Sequence, residues 1–169
     1  MTHRGLAALV DLQRERLDAA PGARVLQAAS HTFDAAVFEL LTAHAHGGTL
    51  VIAPGHTFAG EPLQQLIVDQ RITHANLTPT VLATLSPELA PLTLVAAGES
   101  LPAALVDKWS AHRVFNGYGP TELTVGVSVA GPLRVVGSRA SESRSRVPPP
   151  TSSMRGCTPF LPAPSGSCM

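Results

Sequence analysis

The sequence predicts an α/β fold in which strands alternate with helices on a largely parallel sheet. Short runs rich in Val, Leu, Ile and Ala are each followed by a segment with helical periodicity, and Gly or Pro residues separate them. Aromatic residues make up only 4% of a chain that is 44% apolar, so Ala, Leu and Val must fill the core. The length of 169 residues is sufficient for one domain with its own core.

Five strands and five helices are expected to alternate along the chain. The strands are predicted at residues 24–28, 49–53, 74–77, 92–96 and 113–116. The helices are predicted at residues 2–18 with Thr2 as the cap, from residue 33 to the Gly47-Gly48 pair, from residue 61, from residue 79 and at residues 101–109. Because ligands bind at the carboxyl ends of the strands in such sheets, the loops after the strands are the places to look for a site.

The charge is unevenly distributed, although its formal sum is zero. Residues 1–132 hold 7 Lys and Arg against 11 Asp and Glu, whereas residues 133–169 hold 5 Arg against Glu142 alone. The second stretch is rich in Ser, Pro and Arg and has no apolar periodicity. We therefore expect residues 1–132 to form the domain and residues 133–169 to be a disordered tail.

Several other classes of protein are not indicated. Cys157 and Cys168 lie in the tail without histidines at metal-ligand spacing, so no zinc site or disulfide framework is predicted. No run approaches the roughly 18 apolar residues of a membrane span, and the N-terminal segment does not have the pattern of a secretory signal. Clustered lysines and groove-reading motifs are absent from the sequence as well. A cytoplasmic protein without a membrane or nucleic-acid partner is the expectation.

The segment Asn116–Glu122 concentrates ligand-binding chemistry directly after a predicted strand. Its two glycines allow a ligand to approach the backbone, and the ring of Tyr118 offers a flat face for stacking. Thr121 and Glu122 supply oxygens that suit a hard cation such as magnesium. The alternative is an ordinary strand-to-helix loop with Thr121 as helix cap, and the segment alone does not decide between the two.

Four segments resemble, in order and spacing, the amino-acid adenylation domains of non-ribosomal peptide synthetases, a branch of the adenylate-forming enzymes. They are Thr2-His3-Arg4-Gly5-Leu6, Phe33-Asp34-Ala35-Ala36-Val37-Phe38-Glu39, Ala97-Gly98-Glu99-Ser100-Leu101-Pro102 and Asn116-Gly117-Tyr118-Gly119-Pro120-Thr121-Glu122. The last segment alone would leave a ligase similar to acyl-CoA synthetases open, and the Phe-Asp-Ala-Ala element favours amino-acid activation. The resemblance covers residues 1 to about 132 and implies part of the large N-terminal domain of such an enzyme.

That family activates a carboxylate by in-line attack on the α-phosphate of Mg-ATP, releases pyrophosphate and passes the acyl group to a phosphopantetheine thiol. The resemblance therefore implies ATP or AMP, magnesium and an amino acid as ligands. It also implies a peptidyl carrier domain or other synthetase domains as partners, with the phosphopantetheine on the carrier domain only.

The resemblance also implies roles for individual residues at the nucleotide. Contacts with the nucleotide are implied for Gly98, Asn116, Gly117, Tyr118 and Gly119. Among these, Tyr118 would stack on adenine and Asn116 would hydrogen-bond to its exocyclic amine. Thr121 would contact the α-phosphate and Glu122 would hold magnesium, which makes these two the candidate catalytic residues.

For the amino acid, the resemblance implies that Asp34 pairs with the α-ammonium group. A carboxylate before an apolar helix is costly to desolvate unless a cation meets it, although an Asp in this place commonly caps the helix instead. The implied side-chain pocket consists of Ala35, Phe38, Asn76, Val95, Ala97, Gly117, Val125 and Gly126. This lining is mostly apolar with one amide, so we expect a neutral amino acid of small to medium size.

The chain also departs from the family pattern. The glycine-rich phosphate loop expected before Thr2 is not in the sequence, nor are the ribose-binding aspartate segment and the lysine-bearing C-terminal domain expected after Pro132. We therefore expect a fragment with little or no adenylation activity alone. A subunit completed by a partner that carries the missing parts, an inactive nucleotide- or amino-acid-binding module, and a non-functional gene product all stay open. A further hypothesis, that the tail is translated from another reading frame, is testable in the encoding DNA.

Overall fold

The computed structural model describes residues 3–55 and 57–134, which form a six-stranded sheet with helices on both faces. The strands are β1 (Arg24–Gln27), β2 (Thr49–Ile52), β3 (His74–Leu77), β4 (Thr93–Ala97), β5 (Arg113–Tyr118) and β6 (Ser128–Ala130). The helices are α1 (Leu6–Leu17), α2 (Ala35–His44), α3 (Gly60–Asp69), α4 (Pro79–Ala83) and α5 (Ala103–Lys108), with short 3-10 helices at His3–Gly5 and Thr121–Leu123.

The strand order is β2-β1-β3-β4-β5-β6, and the first five of these strands are parallel. The expectation of alternating strands and helices on a largely parallel sheet is therefore confirmed. From β1 the chain passes first to one neighbour, β2, and later to the other, β3, so the order reverses between β1 and β3. These two strands share only the pair Val25 and His74, which leaves a crevice of the kind that binds ligands in open α/β sheets.

Alternation along the strands divides the core into two layers. Leu94 of β4 and Val114 of β5 pack with α3, α4 and α5 on one face of the sheet. The next residues along, Val95 and Phe115, pack with α1 and α2 on the opposite face. Because successive strand side chains point to opposite faces, an apolar run in each strand supports helices on both sides.

A sixth strand, β6, was not predicted, and it pairs antiparallel with β5. The pairing of Tyr118 with Ser128 carries β5 two residues beyond its predicted end, so the first three residues of the Asn116–Glu122 segment are strand rather than loop. A run of three residues is too short for periodicity to indicate a strand.

The first helix begins later than predicted, because α1 starts at Leu6 with Gly5 at its N-cap, after a 3-10 helix at His3–Gly5, and Thr2 as its cap was therefore wrong. The residues from 135 onward lie outside the described residues, so the disordered tail stays a prediction.

Candidate functional site

A cleft of about 1050 Å³ opens at the carboxyl ends of β1, β3, β4 and β5. It brings together residues that are far apart in the sequence. The predicted site residues that line it are Asp34, Ala35, Phe38, Asn76, Val95, Ala97, Gly98, Asn116, Gly117, Tyr118, Gly119, Val125 and Gly126. Only Thr121 and Glu122 among the predicted site residues are not part of its lining.

The floor of the cleft is formed by side chains on one face of the sheet. Asn76 is paired with Val95 across β3 and β4, and Ala97 is paired with Gly117 across β4 and β5. Phe38 reaches this face from α2 and is buried in the same core layer as Val95. The floor is therefore apolar apart from one amide, as the sequence predicted, and it continues directly into the core.

Glycine is required at position 117 by the packing of this floor. A Cβ atom on Gly117 would lie 2.8 Å from Cγ1 of Val95 and 3.2 Å from Cβ of Ala97. Gly126 differs, because a Cβ there would lie 3.5 Å from Cδ1 of Leu9 and 3.7 Å from Cε2 of Phe38, which is ordinary contact. The space beside Gly126 is therefore part of the cleft that a larger residue would fill.

Asp34 stands at the N-cap position of α2, but its side chain makes no capping hydrogen bond. Its backbone is helical, with φ −66° and ψ −20°, whereas a capping residue usually has an extended conformation. The two salt bridges among residues 3–55 and 57–134 join Arg14 to Asp11 and Arg113 to Asp18, so neither engages Asp34. The capping interpretation is therefore wrong, and Asp34 is a half-buried residue in the lining of the cleft.

The connection between β5 and β6 carries Val125 and Gly126 back to the cleft. Thr124 and Val125 both have left-handed backbones, with φ 66° and 67°, which is unusual for β-branched residues. The turn folds tightly over Gly119, where a Cβ would lie 2.6 Å from the carbonyl oxygen of Val125 and 2.7 Å from the nitrogen of Val127. Backbone atoms cannot yield to such a contact, so only glycine fits at position 119.

Thr121 and Glu122 lie in a short 3-10 helix immediately after Pro120, which lines the cleft. Both side chains are exposed to solvent. Within residues 3–55 and 57–134, no three His, Cys, Asp or Glu side chains come together as metal ligands. A magnesium ion at Glu122 would therefore take its other ligands from phosphate oxygens and water, as magnesium commonly does.

The cleft differs in character from one end to the other. The buried end, lined by Phe38 and Val95, is continuous with the core. The exposed end, lined by Asn116, Tyr118 and Pro120, consists of residues open to solvent. A ligand with an apolar group at one end and a planar ring at the other matches this arrangement.

Two glutamates near the cleft were not predicted as functional, although both belong to recognised segments. Glu99 lines the cleft, and hydrogen bonds from the hydroxyl and the N–H of Thr80 hold the pKa of its carboxyl below the ordinary value. Glu39 is buried in α2, and burial raises its pKa to about 7, against the effect of hydrogen bonds from the backbone of Ala29 and Ala28. Neither contact joins neighbours in sequence, so periodicity alone did not reveal them.

Comparison with known proteins identifies a family and several relatives of this chain. The family profile described as AMP-binding enzyme matches residues 1–156, which extends beyond the span of about 132 residues that the motifs covered. A probable non-canonical nonribosomal peptide synthetase, CymA of Salinispora arenicola, is 48% identical over 136 residues. Novobiocin biosynthesis protein H of Streptomyces niveus is 44% identical over 136 residues. Each alignment covers 79% of this chain but only 2% and 23% of these two relatives.

Solved structures of similar fold include several with ligands. The synthetase FmoA3 bound to α-methyl-L-serine-AMP superposes with a TM-score of 0.66 and 28% identity over 77% of this chain and 16% of its own. Its AMPPNP-bound form has a TM-score of 0.62 and 29% identity over 72% of this chain and 14% of its own. The Klebsiella oxytoca NpsA N-terminal subdomain, in complex with 3-hydroxyanthranilyl-AMSN, has a TM-score of 0.67 and 26% identity over 76% of this chain and 35% of its own.

A further solved relative contains a carrier domain. PA1221, described as a synthetase protein with adenylation and PCP domains bound to a vinylsulfonamide inhibitor, has a TM-score of 0.58 and 31% identity. The match covers 66% of this chain and 21% of that protein.

Among the helices that the structure describes, none combines the length and apolarity that crossing a membrane requires.

Proposed function

Because the chain belongs to the AMP-binding enzyme family, we propose that it forms the part of a nonribosomal peptide synthetase adenylation domain that holds the amino acid and the adenine. One observation carries the proposal: residues from five separate stretches of sequence, between Asp34 and Gly126, line a single cleft at the carboxyl ends of parallel strands. The same edge of the sheet binds ligands in other open α/β folds.

At the buried end, Asp34 would pair with the α-ammonium group of the amino acid. Its carboxylate has no capping hydrogen bond and the residue lines the cleft, so an incoming cation would offset the cost of its partial burial. The free carboxylate also favours an amino acid over the acyl substrates of a ligase similar to acyl-CoA synthetases, since those substrates bring no cation. The apolar floor with Asn76 as its one amide supports a neutral side chain of small to medium size.

At the exposed end, the ring of Tyr118 would stack on adenine, and the amide of Asn116 would hydrogen-bond to its exocyclic amine. Gly98 and Gly119 would allow the backbone to approach the nucleotide. At Gly98 the backbone is left-handed, with φ +86°, and a Cβ there would meet only Cγ2 of Thr78, at 3.9 Å. Thr121 would contact the α-phosphate and Glu122 would hold magnesium. A bound magnesium ion supplies positive charge that stabilises the phosphate oxygens during transfer.

The whole reaction would join the amino-acid carboxylate to the α-phosphate with release of pyrophosphate. The aminoacyl group would then pass from AMP, which is released, to the phosphopantetheine thiol of a carrier domain, a partner that the PA1221 relative contains. This chain spans 35% of the NpsA N-terminal subdomain. The phosphate loop and the lysine-bearing domain that the resemblance implies are not in the sequence. Groups that stabilise the developing charge on a phosphate typically lower the barrier by several kcal/mol. We therefore propose that the 169-residue chain binds ligands without appreciable turnover.

Calorimetric titration with sulfamate analogues of aminoacyl-AMP tests this proposal directly. We expect the purified chain to bind the alanyl, valyl or leucyl sulfamoyl adenosine. Asp34→Asn should weaken that binding about tenfold or more, because a charge-assisted hydrogen bond is worth roughly 1.5–3 kcal/mol. Asp107→Asn, at an exposed position of α5 outside the cleft, is the matched control. Failure of the wild-type chain to bind any of these analogues would contradict the proposal.

Pyrophosphate exchange tests the proposed lack of turnover. Amino-acid-dependent exchange by the 169-residue chain, at the rate of an intact adenylation domain, would show that the chain is an enzyme by itself.

A further inference from the structure

The segment between β1 and α2 brings Asp34 to the cleft, and a buried carboxylate holds the start of this segment. Glu39 lies in α2 and is 1% exposed. Its carboxylate accepts one hydrogen bond from the N–H of Ala28, at 3.3 Å. The N–H of Ala29 lies 3.2 Å from each of the two carboxylate oxygens. Ala28 and Ala29 line the cleft and Glu39 does not, so Glu39 contacts the lining of the cleft without being part of it.

We propose that Glu39 is a positioning residue for the amino-acid substrate: it binds the backbone of Ala28 and Ala29 to α2 and thereby holds the Asp34 carboxylate in place. This inference rests on the proposed function, because it assigns Glu39 a role in presenting the carboxylate that meets the substrate ammonium group. Glu39 does not line the cleft and so acts only through Asp34.

The connecting segment is held at both ends and within itself. At its start, Gln27 Nε2 donates to the carbonyl oxygen of Ala29 at 2.5 Å. In its middle, the N–H of Phe33 donates to the carbonyl oxygen of Ser30 at 2.9 Å. At its end, the N–H of Val37 donates to the carbonyl oxygen of Asp34 at 2.9 Å, which joins the segment to α2. The Glu39 carboxylate joins the start of this segment to α2, so loss of its hydrogen bonds would leave that end held by Gln27 but no longer tied to the helix.

The cost of burying Glu39 argues against a purely structural role. Burial raises the pKa of this carboxyl to about 7, which means that the ionised form is disfavoured in the folded protein. Neither of the two salt bridges among residues 3–55 and 57–134 involves Glu39. Burial of a neutral side chain of the same shape would cost less free energy than burial of a carboxylate. The hydrogen bonds from the N–H groups of Ala28 and Ala29 therefore explain why a carboxylate stands here.

Glu39→Gln is the decisive variant, because it keeps the shape and places an amide NH₂ group where one carboxylate oxygen accepts from Ala29. At pH 8 we expect its melting temperature to equal or exceed that of the wild-type chain, since no charge is buried. We expect amide hydrogen exchange at Ala29, measured by NMR, to accelerate about tenfold, which corresponds to the loss of one ordinary hydrogen bond. The N–H of Ala28 donates to the other oxygen, so its exchange should change less.

Ligand binding separates positioning from general destabilisation. Glu39→Gln should weaken the binding of the best aminoacyl sulfamoyl adenosine about threefold to tenfold, because the partner of its ammonium group is no longer held. Binding of sulfamoyl adenosine, which has no amino acid, should be unchanged. Glu61→Gln, an exposed position in α3 outside the cleft, is the matched control and should change neither affinity nor exchange at Ala28 and Ala29.

The possible results distinguish the two proposals. If the wild-type chain binds neither compound, the proposed function fails and the positioning role fails with it. If the wild-type chain binds the aminoacyl compound and Glu39→Gln binds it equally well, the positioning role is overturned while the proposed function stands. Equal weakening for both compounds, or a lower melting temperature with unchanged exchange at Ala28 and Ala29, would also overturn the positioning role.

Discussion

At the buried end of the cleft, Phe38 and Val95 are 6% and 5% exposed, whereas at the exposed end Tyr118 is 72% exposed. The first two residues belong to a core layer that also contains Leu9 and Phe115. Tyr118 makes its contacts through the backbone of β5 and leaves its ring in solvent. The shape of the buried end is therefore held by the same packing that holds the fold, and the exposed end relies on what binds there.

This difference predicts that substitutions separate into two kinds. At the buried end, a change that affects the ligand also affects the stability of the domain, because one set of side chains performs both tasks. At the exposed end, side chains are replaceable without loss of stability, and only backbone geometry is constrained. Four measurements test this contrast.

The largest effect is expected for Phe38→Ala at the buried end. Removal of a buried phenyl ring typically costs about 3–5 kcal/mol in the free energy of unfolding. Urea titration of the wild-type chain and the variant, followed by the fluorescence of buried Trp109, measures the difference. A loss below about 1 kcal/mol would mean that this end of the cleft is not part of the core.

The second effect is a pH dependence that belongs to Glu39. Its pKa is about 7 in the folded protein against an ordinary value of 4.5. Since the folded-state pKa is raised, the contribution to stability is fully present below pH 4.5 and is lost as the pH rises through 7. We expect the free energy of unfolding of wild type relative to Glu39→Gln to fall by roughly 3 kcal/mol between these limits. A difference that is constant from pH 5 to pH 8 would contradict the raised pKa.

The third effect concerns the backbone at the exposed end. Gly119→Ala places a Cβ 2.6 Å from the carbonyl oxygen of Val125 and 2.7 Å from the nitrogen of Val127, so the backbone would have to shift. We expect a loss of about 1–3 kcal/mol in the free energy of unfolding, as for other overpacked sites. Gly126→Ala is the matched control, because a Cβ there meets only ordinary contacts and should leave stability nearly unchanged.

The smallest effect on stability is expected for Tyr118→Ala. Because the ring is largely exposed, the free energy of unfolding should change by less than about 0.5 kcal/mol. Binding of AMP should nevertheless weaken by about tenfold, since stacking of a base on an aromatic ring is worth roughly 1–3 kcal/mol. If unfolding and AMP binding respond to Tyr118→Ala and Phe38→Ala in the same proportion, the contrast between the two ends is wrong.

The local pattern of the sequence predicted most of the fold because each element bears its own signal. The apolar run at residues 92–96 and the helical periodicity from Leu63 to Ile72 both depend on neighbours in the chain, and both elements formed. The strand β6 carried no such signal, since three residues gain strand geometry only by pairing with β5. The end of β5 moved to Tyr118 for the same reason.

The candidate cleft was predicted by resemblance rather than by periodicity, and its thirteen lining residues assembled as expected. Their roles toward a ligand stay predictions. The resemblance did not indicate the burial or the hydrogen-bond partners of each side chain. Without the resemblance, a helix cap was the more common role for Asp34, and the absence of a capping bond in the fold excluded that alternative.

The sequence by itself thus determined that strands alternate with helices along the chain, because this follows from side-chain chemistry and from spacing along the chain. Its resemblance to a known family indicated which residues would line one mostly apolar pocket. The tertiary structure decided that Glu39 is buried against Ala28 and Ala29, that Asp34 is uncapped and that β6 closes the edge beside β5. Each of these depends on backbone groups that only folding brings together, and hydrogen-bond partners distant in sequence leave no local signal.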